Sequence, residues 1–129
     1  MELDDIKRHA LAARQFQVVH GEGTFTLTIP TKLQASIAHA ASVDRYEGTP
    51  RAQPIQFRRE LLVVALTTWS GVTLHDVLPD AEVDEPLEYS AGAVDLLLDA
   101  NPDLSDVLLN ALLLRMHQRS QALDTAAKN

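Results

Sequence analysis

Acidic side chains alternate after residue 79 in a pattern that is typical of calcium-binding loops. Asp80, Glu82 and Asp84 would occupy the first, third and fifth positions of such a loop, since Ca²⁺ prefers carboxylate oxygens. The pattern fails at the sixth position, where Glu85 replaces the glycine that the turn needs, and at the twelfth, where Ala91 replaces a bidentate glutamate. The sequence therefore predicts no calcium site in this segment.

Histidine and serine residues offer two further chemistries, metal binding and nucleophilic catalysis. The five histidines are scattered without the spacing of a metal site. His75-Asp76 lies near Ser70 and Ser90, but neither serine belongs to a nucleophile elbow. The five glycines form neither a dinucleotide-binding motif nor a phosphate-binding loop. The sequence thus predicts no catalytic, cofactor-binding or metal-ligating residue, and we expect a protein that is not an enzyme.

The composition is that of one folded domain of 129 residues with a mainly aliphatic core. Its hydrophobic content of 46% is too high for a disordered chain, and the absence of cysteine removes disulfides and thiolate chemistry. The N-terminus is charged and amphipathic, unlike a signal peptide, and no apolar run is long enough to span a bilayer. We therefore expect a soluble cytoplasmic protein without a membrane partner.

Charge is distributed unevenly along the chain, whose formal net charge is −7. The interval between Arg59 and Arg115 has eleven acidic residues and no Lys or Arg, so the remainder carries +4 (11 basic and 7 acidic residues). An acidic protein is a poor partner for nucleic acid. The acidic interval either steers a basic protein partner or serves solubility. The acids proposed for steering are Asp80, Glu82, Asp84 and Glu85.

Residue periodicity predicts a helix and a β-hairpin in the N-terminal part of the chain. Apolar residues at helical spacing predict an amphipathic helix over residues 3–14, namely Leu3, Ile6, Ala10 and Ala13. Two short alternating or β-branched runs flank a glycine-containing turn, which predicts a hairpin over residues 15–30. Its second strand would bury Phe25, Leu27 and Ile29 on one face and expose the threonines between them.

Two helices are predicted between residues 31 and 69. Thr31 is suited to cap the first, which would end near Ala41. Its apolar residues on one side are Leu33, Ile37 and Ala40. The turn-rich residues 42–53 predict a loop. A second helix over residues 54–69 is apolar nearly all round, which is typical of the central helix of a core.

Two further helices are predicted after an irregular acidic stretch, residues 72–89. Ser90 is suited to cap the first, and Asn101-Pro102 to start the second. In the first helix Val94, Leu97 and Leu98 would face inward, and the second runs through Leu104, Leu108, Leu112 and Met116 of the helical core. Residues 117–129 are polar, and we expect them to fray. The predicted fold is a single domain, mainly α with a small N-terminal β-hairpin (α+β), around a compact helical core.

The only tryptophan, Trp69, stands at the predicted end of the central helix. Helical spacing from Ala65 places its ring in the core, and Gly71 then ends the helix. Val72 and the apolar residues that follow, Leu74, Val77 and Leu78, would fold back over the indole. We interpret this segment as a structural joint between core and acidic loop, because a buried aromatic side chain usually contributes packing. A binding hot spot is the alternative.

Several residue patterns occur in an order that resembles the tail assembly chaperones of long-tailed bacteriophages. They are Trp69-Ser70-Gly71-Val72, Pro86-Leu87-Glu88-Tyr89-Ser90, Val94, Leu97-Leu98, Pro102 and Leu104. A strand-to-helix junction at 25–32 and the basic pair Arg58-Arg59 precede them in a comparable order. The resemblance covers about residues 24–115.

The resemblance implies a non-enzymatic function. Proteins of this family are thought to coat the tape-measure protein, keep it soluble and recruit tail-tube subunits as the tail polymerises. The expected partners are therefore the tape-measure and tail-tube proteins, in the host cytoplasm, and self-association along the template is also implied. No cofactor, nucleic acid or membrane partner is expected. The alternative is a virion structural protein, such as a minor tail or head–tail connector component, that stays in the mature particle.

Overall fold

The computed structural model describes residues 1–46 and 52–128, with the side chains of all of these except 44–46, 52 and 53. Within these residues the chain forms five α-helices and one three-stranded antiparallel sheet of order β1-β2-β3. The predicted fold class, mainly α with a small β element, is confirmed. None of the described helices is both long enough and apolar enough to cross a membrane.

The N-terminal helix and hairpin form as predicted. α1 (Leu3–Arg14) leads directly into β1 (Gln15–His20), and β2 (Gly23–Thr28) returns antiparallel to it. The two-residue turn between the strands contains Gly21, whose φ of 58° lies in the left-handed region that glycine adopts without strain. The buried side chains that follow are Phe25, Leu27, Thr28 and Ile29. Thr28, one of the threonines predicted to be exposed, is therefore buried at the end of β2.

α2 (Lys32–Tyr46) starts where predicted. The backbone N–H of Gln34 donates to Thr31 Oγ1 at 3.2 Å, and the Gln34 side-chain oxygen accepts from the Thr31 N–H at 2.9 Å, which is a reciprocal N-terminal cap. Leu33 and Ile37, placed together on one side of the predicted helix, are exposed. Among residues 32–43 of α2, whose side chains the structure describes, the buried ones are the small side chains of Ala38 and Ser42. The helix thus presents a narrow face to the rest of the fold.

The prediction of a loop over residues 42–53 is wrong at both ends. Residues 42–46 continue α2, and α3 (Ala52–Ala65) has already begun at residue 52. The hydroxyl of Ser42 donates to a backbone carbonyl of the preceding turn at 2.7 Å, so a residue typical of turns is accommodated inside the helix. Residues 47–51 of the prediction lie outside the described residues.

The helix predicted over residues 54–69 is wrong in its last turn. α3 ends at Ala65, and the chain continues as strand β3 (Leu66–Ser70). β3 pairs antiparallel with β2, and Trp69 lies opposite Phe25. The hairpin leaves one edge of β2 open to pairing, and the β-branched Thr67-Thr68 favour a strand at that edge.

A β-bulge explains why the sequence pattern of β3 imitates a helix. The register between β2 and β3 shifts between Thr26 and Leu27, and the Thr67 hydroxyl donates to the Thr26 carbonyl there at 3.1 Å. Residues three apart in a regular strand point to opposite faces, but beside this bulge Leu66 and Trp69 are both buried. A spacing of three between buried residues is also the spacing of a helix.

The two C-terminal helices form as predicted and extend further. Ser90 caps α4 (Ala91–Ala100) by accepting the backbone N–H of Ala93 at 3.1 Å. α5 (Pro102–Lys128) follows after one residue. Residues 117–128, which we expected to fray, continue α5 as helix. Their helical structure corrects that prediction.

The core lies where α3, α4 and α5 pack together and α5 meets β1. Leu97, Leu98, Leu104 and Leu108, which the sequence assigned to the helical core, belong to this core and are 3% exposed or less. Because a ligand cannot reach them, their contribution is packing, about 1.5–3 kcal/mol for each fully buried side chain.

Candidate functional site

Trp69 connects the sheet to the acidic loop. Its ring is 9% exposed and meets the rings of Phe25 and Tyr89 edge-on, at centroid distances of 6.3 and 5.1 Å. Its Nε1–H donates to the carbonyl of Leu87 at 2.8 Å. A buried indole whose one donor is satisfied contributes packing. This burial agrees with a structural joint, although Trp69 lies on a strand and not, as we predicted, on a helix.

Tyr89 fastens the end of the loop to the same strand. Its hydroxyl donates to the carbonyl of Leu66 at 2.7 Å, while 38% of the residue stays exposed. Leu66 begins β3 and Trp69 lies near its end, so the loop is attached along the length of the strand. Tyr89, one of the residues that carry the sequence resemblance, therefore holds the loop against β3.

Gly71 lets the chain pass close to the hairpin turn. Its φ is 75°, and a Cβ at this position would lie 2.1 Å from the carbonyl oxygen of Glu22. The prediction that Gly71 ends a helix is wrong, because it follows a strand, but the left-handed backbone and the close approach both require glycine. Val72, the next residue, is buried at 3% exposure.

The acidic loop, residues 72–89, is closed by backbone hydrogen bonds between its two halves. The N–H of Leu87 donates to the Val72 carbonyl at 2.9 Å, and the N–H of Leu74 donates to the Glu85 carbonyl at 2.8 Å. The loop that we predicted as irregular is therefore an ordered excursion with paired ends.

Asn101 also holds this loop in place. Its side-chain amide donates to the carbonyl of Leu97 at 3.0 Å, at the end of α4, and to the carbonyl of Asp76 at 2.8 Å, in the loop. The sequence located Asn101 at the helix junction, but the bond to the loop depends on the tertiary structure.

Of the four acids predicted to steer a partner, Asp84 is engaged within the loop. Its Oδ1 accepts the backbone N–H of His75 at 3.1 Å, and its Oδ2 lies 3.4 Å from His75 Nδ1. The backbone hydrogen bond from His75, together with the Thr73 hydroxyl and the His75 charge, lowers the pKa of Asp84 from its ordinary value, against the opposing effect of burial. All four acids have exposed side chains, Asp80, Glu82 and Glu85 as well as Asp84, whose side chain is 41% exposed.

Asp84→Asn is expected to lower the melting temperature, whereas neutralising the other three acids together should leave it nearly unchanged. Since the folded-state pKa of Asp84 is depressed, its stabilisation is present above the pKa of an unfolded aspartate, about 3.9, and is lost as the pH falls through the folded value. Thermal melts across this pH range test the prediction. A wild-type advantage over Asp84→Asn that persists below both pKa values would contradict it.

An apolar groove that the sequence did not predict lies between the acidic loop and α4. It encloses about 460 Å³ and is lined by Leu74, Val77, Leu78, Leu87, Leu96 and Ala100 together with Asp99. Leu78 is 57% exposed and Leu96 61%. We expected Leu78 to fold over the indole, and it instead lines this groove. The helical spacing of Leu74 and Leu78 was the one sequence signal for the surface.

Arg59 of α3 forms two ion pairs with α4 beside the groove. Its guanidinium lies 3.4 Å from Asp95 Oδ1 and 3.1 Å from Asp99 Oδ1, and it donates to the Asp95 carbonyl at 3.2 Å. The carboxylates are 65% and 74% exposed, so the ion pairs contribute at most about 1 kcal/mol each. Their main effect is on local charge, because they partly neutralise two acids of α4.

The described site combines an apolar concave surface with an excess of negative charge and a hydrogen-bonded loop. In residues 1–46 and 52–128, no group of three or more His, Asp or Glu side chains is placed to hold a metal ion. No protein-family model, curated protein or solved structure matches this chain.

Proposed function

We propose that the protein is a tail assembly chaperone of a long-tailed bacteriophage, a non-enzymatic protein that binds the tape-measure protein and recruits tail-tube subunits in the host cytoplasm. The packing of the residues that carry the sequence resemblance supports this proposal. Trp69 shares one buried cluster with Leu97, Leu98 and Leu104, and its ring contacts Tyr89. A pattern spread over some thirty-five residues of sequence thus corresponds to one packed unit of the fold.

The observation that carries the proposal is the uncovered apolar stripe of α1. None of the residues of α1, all of which the structure describes, is buried. Leu3 is 63% exposed and Ile6 49%, and Ala10 and Ala13 continue the stripe in exposed positions. A helix of 12 residues is marginally stable by itself in water. We therefore infer that this stripe completes its packing against a partner.

A helical segment of the client is the occupant that we assign to the stripe. The Arg14 guanidinium donates through Nε to the Ile29 carbonyl at 2.9 Å, so the end of α1 is attached to the hairpin and the stripe is held on a support. Helices pack through apolar residues three and four apart, which is the spacing of Leu3, Ile6 and Ala10. The acidic first turn would attract basic residues at the edge of the client helix.

The double variant Leu3→Glu/Ile6→Glu is expected to weaken capture of the tape-measure protein roughly tenfold or more, since a loss of 1.4 kcal/mol corresponds to a factor of ten. Its melting temperature should stay close to that of the wild type, because both side chains are exposed. Co-expression with the tape-measure protein of the same genome, followed by measurement of the soluble and co-purified fraction, gives the readout.

Leu11→Glu is the matched control. Leu11 lies on the same helix and is 46% exposed, but it projects away from the stripe, so capture should be unaffected. Equal loss of capture in the control would show that charge on α1, and not its stripe, is responsible. Failure of the wild type to solubilise the tape-measure protein would contradict the proposed function. Many copies in purified virions, counted by mass spectrometry, would indicate the structural virion component instead.

A further inference from the structure

We define the last part of α5, residues 113–128, as the C-terminal arm; Arg115 and Met116 near its start still contact the body of the fold, at the Phe16 ring and the core. Within α5, which is described throughout, Leu112 is the last buried residue, and all residues of 120–128 are exposed. Leu123 is 57% exposed, and Ala126-Ala127 lie one turn further on the same side. The arm therefore carries a short apolar stripe whose small residues permit close approach to another surface.

The arm and the apolar groove have opposite charges. The charged residues of the arm are three basic ones, Arg115, Arg119 and Lys128, and one acidic one, Asp124. The segments that line the groove, residues 74–88 and 95–100, contain eight acidic residues and no Lys or Arg. Arg59 pairs with two of these eight, Asp95 and Asp99, so six others remain beyond its reach. Attraction between the two surfaces is therefore expected.

Charge also favours the arm over the α1 stripe as the occupant of the groove. α1 has three basic residues, Lys7, Arg8 and Arg14, and two acidic ones, Asp4 and Asp5, which lie beside Leu3 and Ile6 of its stripe. The net charge is thus +1 for α1 and +2 for the arm. If the α1 stripe entered the groove, Asp4 and Asp5 would meet the acidic loop, and this local repulsion favours the arm.

An arm cannot reach the groove of its own molecule. α5 is continuous from Pro102 to Lys128, and the groove residue Ala100 lies directly before its start. At 1.5 Å per residue, Leu123 lies about 30 Å along the axis from Pro102. A straight helix does not fold back over that distance, so the arm and the groove can cover each other only between molecules.

We propose that the C-terminal arm of one molecule docks in the apolar groove of a second copy, so that the protein associates head to tail. Different surfaces at opposite ends of α5 meet in this contact, which makes it heterologous. Each added molecule leaves one groove and one arm available, and growth continues unless the chain closes into a ring. The inference does not depend on the proposed client function, because it uses another surface than the α1 stripe and only this chain.

Complementation between two variants tests the contact with the purified full-length protein. Leu96→Glu places a charge in the groove, and Leu123→Glu places one in the arm, both at exposed positions. Sedimentation equilibrium should show a mass that rises with concentration for the wild type and monomers for each variant alone. A mixture should form a 1:1 heterodimer and nothing larger, because the first variant keeps its arm and the second keeps its groove.

Leu33→Glu, at a position 71% exposed on α2, is the control and should associate like the wild type. Circular dichroism checks that every variant keeps its helix content. The association of the wild type should also weaken with added salt. A monomeric wild type at all concentrations, or a mixture of the two variants that stays monomeric, would overturn the proposal. So would a wild-type dimer that Leu123→Glu abolishes and Leu96→Glu leaves intact, since that pattern indicates contact between two arms.

Discussion

Trp69→Ala is expected to lower the free energy of unfolding by about 3–5 kcal/mol, the range for emptying a large aromatic side chain from a core. The substitution removes ring contacts with Phe25 and Tyr89 and leaves the Leu87 carbonyl without its indole donor. Urea denaturation followed by circular dichroism measures the change. The effect is large because one side chain joins the sheet and the loop.

Trp69→Phe separates packing from hydrogen bonding at this position. It keeps an apolar ring and loses the hydrogen bond to the Leu87 carbonyl. The free energy of unfolding should therefore fall by a smaller amount, about 1–2 kcal/mol, because the site is only partly filled and one acceptor is unpaired. Tyr89→Phe removes only the bond to the Leu66 carbonyl and should cost about 1 kcal/mol. Fluorescence typical of an exposed indole, together with normal stability of Trp69→Ala, would instead identify Trp69 as a binding residue.

Gly71→Ala is expected to destabilise the protein by a similar amount through a different cause. The positive φ of 75° costs an alanine about 1–2 kcal/mol. The new Cβ would lie 2.1 Å from the Glu22 carbonyl oxygen, and relieving such overpacking costs about 1–3 kcal/mol more. The hairpin turn and the start of the acidic loop must then move apart. Urea denaturation again gives the free energy.

Two other glycines supply matched controls for Gly71. Gly21 also has a positive φ, 58°, but a Cβ there meets no atom within 4 Å, so Gly21→Ala should show the backbone strain alone. Gly92 lies in the first turn of α4 with open space around it, and Gly92→Ala should be neutral or stabilising, by up to about 1 kcal/mol. If Gly71→Ala costs no more than Gly21→Ala, the close approach to Glu22 does not constrain the fold.

The joint at Trp69 also positions the proposed self-association surface. Leu87 lines the groove with its side chain, accepts the Trp69 indole N–H at its carbonyl, and donates its own N–H to Val72. One residue thus connects the buried core to the exposed groove. A change at Trp69 that loosens the loop is therefore expected to weaken head-to-tail association as well as stability.

Features that depend on neighbouring residues were predictable from the sequence. The alternation before and after Gly21 identified the hairpin, and Thr31 and Ser90 identified two helix starts, because a capping side chain bonds the backbone three residues on. The end of α2 was misjudged because Ser42 and the residues after it are also common in turns. Such propensities are weak compared with the gain from packing α2 against α3.

Strand β3 could not be distinguished from a helix by its periodicity. The bulge beside Thr26 makes Leu66 and Trp69 point to the same side, and this spacing of three continues the pattern of α3. What decides the strand is an unpaired edge of β2, some forty residues earlier in the chain. Information of that kind is not contained in any local window of sequence.

The sequence by itself determined the charge separation along the chain and the positions of Trp69, Gly71 and the leucines that fill the core. Only the tertiary structure decided what those residues touch. The groove exists because bonds from Trp69 to Leu87 and from Asn101 to Asp76 bring an acidic loop against α4. The same packing separates the groove from the arm by most of the length of α5. Contacts between distant segments depend on the packing of the whole fold, which is why residue spacing revealed the helices and not the surfaces between them.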